Sequence, residues 1–176
     1  MGFFDSIFGG KPSSETIDKI DFGKYFYLMN YEQHYGKFLS HHQDKKTAII
    51  ELYIFRAWFT NFSFRLFSSH EDTRNRVSYN IVNLARTLGL AMLHFGLKID
   101  IPDFDSYAEI RWHEYDSIVT QQQGQNDQAA LRLSEKVCTY CGIEDIVNRA
   151  EKTMLLTMDL VALMKQIKED ARTLGL

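Results

Sequence analysis

Between Lys45 and Phe67 the chain offers no polar face. Ile49, Ile50, Leu52, Tyr53, Ile54, Phe55, Trp58, Phe59, Phe62, Phe64, Leu66 and Phe67 point in every direction around a helical wheel. A helix that is apolar all round has to be covered by its neighbours, so this segment predicts the buried centre of a helical bundle. Glu51, Arg56 and Arg65 interrupt it, which argues against a membrane span.

The flanking sequence supplies the cover. A helix is expected over Lys24 to Leu39, where Tyr27, Tyr31 and Tyr35 recur every four residues and make an aromatic stripe. A third follows the central one from Glu71 to Phe95, with Val77, Ile81, Leu84, Leu88, Met92 and Phe95 at helical spacing and Gly96 as its stop. Ser68 and Glu71 read as a capping box for it. The fourth runs from Phe104 to Thr120, capped by Asp103 or Asp105, with Tyr107, Ile110, Tyr115 and Ile118 inward. The fifth covers Gln128 to Cys141 before Gly142, and the last runs from near Glu144 to Arg172.

Nowhere do apolar and polar residues alternate as in a strand, and the chain has no Asn-Gly or Asp-Gly hairpin signal. The expected fold is therefore an all-α bundle of five or six helices, mostly antiparallel, around a central apolar helix. Residues 14–176 form its single domain. Residues 1–13 form a flexible apolar segment and hinge, with Phe3, Phe4, Ile7 and Phe8 ahead of Gly9 and Gly10.

Charge narrows the function classes. The net charge of −3 gives no general attraction to nucleic acid. It is unevenly spread: residues 45–98 hold eight basic and three acidic side chains, and residues 99–128 hold one basic and seven acidic. The simplest account sets the fourth helix beside the third, so that these charges pair in part. No secretory signal precedes the domain and there are only two cysteines, so a cytoplasmic, reducing location is expected.

Catalytic and cofactor signatures are missing. The chain has no P-loop, dinucleotide fingerprint or nucleophile elbow. It has no Glu-x-x-His or His-Glu-x-x-His motif, so Glu109 and His113, four residues apart, are the best metal candidates and weak ones. Cys138 and Cys141 lack the second pair a structural zinc site needs and read as core packing. No cofactor is expected.

Three functional readings follow. The first is a non-enzymatic interaction module (an adaptor, regulator, immunity or assembly component) that binds a protein partner or itself. The N-terminal apolar residues and the Tyr27, Tyr31 and Tyr35 stripe would serve as contacts, because aromatic side chains dominate interface hot spots. The second is a small-ligand or metal-binding protein, an enzyme among the options, with an interhelical pocket around Glu51, Arg56, Asn61 and Arg65. Buried charges need partners. Arg56 and Arg65 would snorkel, or pair with Glu51 and with acids of the fourth helix, or Asn61 and Arg65, one turn apart, would present donors to an anion. The third is membrane-surface attachment through Phe3, Phe4, Ile7 and Phe8.

Overall fold

The computed structural model describes residues 14–26, 31–40, 44–98, 101–122, 124 and 126–176. These residues form an all-α bundle without strands. In chain order the helices are α1 (Ser14–Asp18), α2 (Gly23–Phe26), α3 (Tyr31–Leu39), α4 (Lys45–Phe67), α5 (Glu71–Ala91), a π-helical turn (Met92–Leu97), α6 (Phe104–Gln121), α7 (Asn126–Tyr140) and α8 (Ile146–Leu174). The segment expected as one helix over Lys24 to Leu39 contains α2 and α3, and residues 27–30 between them lie outside the described residues; a short α1 precedes them. The expected apolar segment Phe3, Phe4, Ile7 and Phe8 lies outside the described residues, as does Tyr27.

The central helix is α4. Asp44 caps it by accepting from the backbone N–H of Lys46 and Thr47. Every residue from Ala48 to Asn61 is buried, and α2, α3, α5, α6, α7 and α8 all touch this helix. Burial on all sides is what a helix without a polar face requires. The cover ends at the last turn, where Arg65 and Leu66 are exposed. Among the described residues no helix is long and apolar enough to cross a membrane.

Ser68 does not start the next helix. Its hydroxyl and its backbone N–H both bond the Phe64 carbonyl, closing α4, while His70 takes the N-cap position of α5 without a side-chain bond. The expected capping box fails because its hydroxyl is already engaged by an orphan carbonyl of the preceding helix. Helix α5 folds back along α4, so that Tyr53, early in α4, donates to the carbonyl of Ala85, late in α5. It also runs through Gly96 as a π-helical turn and ends at Lys98, in the left-handed region at φ 54°.

Gly89 of α5 is a close-approach glycine. A Cβ there would sit 2.5 Å from the ring of Phe104, the first residue of α6. On α6 itself Asp103 supplies the cap, Tyr115 is fully buried, and Tyr107 and Ile118 are partly buried. Ile110 is exposed, contrary to expectation, because α6 turns Tyr107, Arg111 and Tyr115 toward α4. Helix α7 ends at Tyr140 and the chain turns away at Gly142, φ 73°, where the N–H groups of Gly142 and Ile143 bond back to the carbonyls of Thr139 and Cys138. Asp145 caps α8 through the Asn148 N–H. At about 1.5 Å per residue, α8 is on the order of 40 Å long.

Candidate functional site

Glu51, Arg56, Asn61 and Arg65 interrupt the apolar helix α4, and they have different fates. Glu51 is 1% exposed. It accepts from the hydroxyl of Tyr107 and from Arg111, whose Nε and Nη2 each lie 3.1 Å from a carboxylate oxygen. The Arg111 guanidinium lies 3.7 Å from the centroid of the Tyr140 ring, and Tyr140 donates to Glu114. Burial and the bond to Glu51 push the Tyr107 hydroxyl up to about 12. Burial and the bond to Glu114 likewise push Tyr140 up. This is a closed ion-pair network, with aromatic rings as its walls.

Arg56 is consumed in a second network. Its Nη1 lies 2.5 Å from Asp159 and 2.6 Å from the Tyr35 hydroxyl, and its Nε and Nη2 bond the Tyr25 carbonyl. Tyr35 in turn donates to Asp159 at 2.9 Å. The expected partners of Arg56, Glu51 and acids of the fourth helix, are thus corrected to Asp159 of α8. Tyr35 is corrected too. It is a buried structural residue rather than a surface contact, because its hydroxyl completes the coordination of a buried guanidinium. Tyr31 falls in α3, and its side chain lies outside the described set.

Asn61 and Arg65 meet neither network. They line a cavity of about 640 Å³ between α4, α5 and α6, together with Trp58, Phe62, Arg74, Ser78 and Trp112. An adjoining cavity of about 450 Å³ shares Val82, Trp112 and Asp116 with it and is lined further along by Arg86, Asp105, Glu109 and His113. One groove therefore brings together four of the residues singled out in the sequence: Asn61, Arg65, Glu109 and His113. Asn61 is 6% exposed, and its Oδ1 has no hydrogen-bond partner; neither has the buried Nε1 of Trp112. The other indole, Trp58, donates to Asp116 at 2.9 Å. Arg65 and Arg74 make no ion pair with a described acid, whereas Arg86 pairs with Asp105 across the groove at 2.7 Å. That pair joins the basic stretch to the acidic one.

The metal candidates, Glu109 and His113, lie 3.7 Å apart and exposed on one face of α6. Among the described residues no three ligand-type side chains gather around a common point. Cys138 and Cys141 are free and buried, and burial raises both thiols, away from a reactive thiolate.

A second surface was not anticipated. On α8, Val147, Met154, Met158 and Val161 are 78, 65, 61 and 62% exposed. They flank a shallow cavity of about 570 Å³ against α7, lined by Leu131, Ile146, Ala150, Met154 and Met158. The sequence signal was there, because these residues share one side of a helix, but the opposite side of α8 is equally apolar. No family model, curated protein or solved structure matches this chain.

Proposed function

We propose that the chain is a helical interaction module, without catalytic machinery of its own, that associates with a second copy of itself through the exposed face of α8 and the adjoining edge of α7. The observation that carries this reading is the exposed row on one side of α8, whose apolar members are Val147, Met154, Met158 and Val161, with Glu151 between the first two and Lys165 at its end. Val147, Glu151, Met154, Met158, Val161 and Lys165 recur at alternating steps of four and three, the spacing of a helix-pairing seam. An exposed apolar patch of this regularity marks an association surface.

Charge selects the partner. The exposed side chains at the start of α8 and just before it include Glu144, Asp145 and Glu151, and those near its end include Lys165, Lys168 and Arg172, the last paired with Glu169 of its own helix. Two copies laid antiparallel set the acidic end of one against the basic end of the other. This is the self-complementarity a two-fold contact needs. The two buried, unbridged thiols suit the reducing cytoplasm, which belongs to the same reading. Membrane attachment rests on residues 1–13 alone and gains no support from the described surface.

Light scattering of the full chain over a concentration series tests the proposal. The expected mass is twice 20.6 kDa, and the double variant Met154→Glu, Met158→Glu returns it to 20.6 kDa with unchanged helix content. A mass of 20.6 kDa at every concentration up to about 1 mM, or a dimer indifferent to the double variant, overturns it.

A further inference from the structure

Among the described residues, exposed sulfur is gathered on one side of α8. The chain has six methionines and two cysteines, of which Met1 and Met29 lie outside the described residues. Cys138 and Cys141 are 0 and 5% exposed, Met92 is 7% exposed, and Met164 is partly buried against the core. Met154 and Met158 are 65 and 61% exposed. We propose that these two thioethers are oxidation sites, and that their conversion to sulfoxides by hydrogen peroxide separates the α8-paired dimer. The inference rests on the dimer reading above and adds its regulation.

Position gives the reaction its leverage. Met154 and Met158 are four residues apart and so share a face of the helix. Val147 and Val161 stand before and after them in the exposed row, and both methionines line the cavity of about 570 Å³ with Leu131, Ile146 and Ala150. Unbranched thioethers fill an irregular apolar surface of this kind well. In the oxidation a sulfur lone pair attacks one peroxide oxygen and the O–O bond breaks. An S=O bond forms and the other oxygen leaves as water, so the sulfur is oxidised by two electrons and the peroxide is reduced by them. The product is polar where the thioether was apolar.

A sulfoxide oxygen needs a hydrogen-bond donor when it is covered, and the donors lining this cavity are engaged. Arg149 gives Nε and Nη2 to the Ile143 carbonyl, Thr153 donates to Cys138 Sγ, and Thr157 to the Thr153 carbonyl. Pressed against a second copy, the oxygen exchanges a packing contact for an unmet acceptor, whereas on a separated chain water satisfies it. The cysteines do not divert the oxidant: burial keeps both thiols protonated and withholds the thiolate that would compete for peroxide.

The test treats the full chain with hydrogen peroxide, mapping oxygen uptake by peptide mass spectrometry and following mass by light scattering. The variant Met154→Leu, Met158→Leu is carried in parallel, because leucine keeps the apolar volume and has no sulfur to oxidise. Met154 and Met158 are expected to take up oxygen before Met92 and Met164, and the species of twice 20.6 kDa to fall to 20.6 kDa as they do. The leucine variant should keep its dimeric mass under the same treatment, and methionine sulfoxide reductases for both epimers should restore the parent dimer. A doubly oxidised chain that stays paired, a leucine variant that separates as readily, or oxygen taken up first at Met92 and Met164 overturns the inference and leaves the dimer reading standing. A mass of 20.6 kDa before any peroxide is added overturns the dimer reading, and this inference with it.

Discussion

The two halves of α4 handle the same difficulty in opposite ways. In the first half the charges are buried and fully matched: Glu51 by Arg111 and Tyr107, Arg56 by Asp159, Tyr35 and the Tyr25 carbonyl. In the second half Asn61 is buried with an unsatisfied oxygen, and Arg65 reaches the rim of a cavity. A buried ion pair stabilises only if it is complete, and a buried polar group left unmatched, as at Thr60, Asn61 and Ser63, is a stability deficit. The contrast separates polar residues whose hydrogen bonds are met inside the bundle from one that is buried without its full set, Asn61, and one that reaches the surface, Arg65.

The comparison breaks most sharply at Arg111. Arg111→Ala strands the Glu51 carboxylate in the core and is expected to lower stability by about 3 kcal/mol in chemical denaturation. Adding Glu51→Leu should recover much of that loss, since the stranded charge and not the missing cation causes it. A loss unaltered by the second substitution would show that Arg111 acts by packing on Tyr140 instead.

Asn61→Leu is expected to go the other way. Removing an unsatisfied buried amide should leave stability unchanged or raise it by up to about 1 kcal/mol, measured in the same denaturation experiment. A clear destabilisation would place Asn61 with the matched half of the helix.

The smallest effect is at high pH. Burial and the Glu51 bond raise the Tyr107 hydroxyl from 10.0 to about 12, so the folded state holds that proton more tightly than the unfolded chain. The corresponding stabilisation is complete below 10.0 and is lost as pH rises through about 12. Tyr107→Phe should therefore lose less stability than the parent between these values, read from denaturation midpoints at stepped pH.

The sequence made the burial of α4 plain, because a helix without a polar face has only one place to go. The partners of its charges were not legible. Arg111 lies 60 residues from Glu51, and Asp159 lies 103 from Arg56. The spacing rules that link side chains within one helix say nothing across such distances. Arg111 carried a faint signal as the lone basic residue between 99 and 128. Asn61 and Arg65 were picked out as one-turn neighbours, but Arg74, Ser78 and Trp112 were not, because only the fold brings α5 and α6 to them. The exposed row on α8 was missed for a different reason. Leu156, Leu160, Leu163 and Ile167 make an equally regular row on the other side, and periodicity alone cannot choose which one the bundle covers.

Gly89 carries one more consequence. The ring of Phe104 rests where a methyl group would otherwise stand, and Phe104 also walls the smaller cavity. The bare α-carbon thus acts as a gauge block between α5 and α6, fixing the gap into which Trp112 and its neighbours look. An alanine there would have to displace the Phe104 ring, and with it the seat of α6 on α5. The width of the groove would then be reset from a position that itself lines neither cavity and carries no charge.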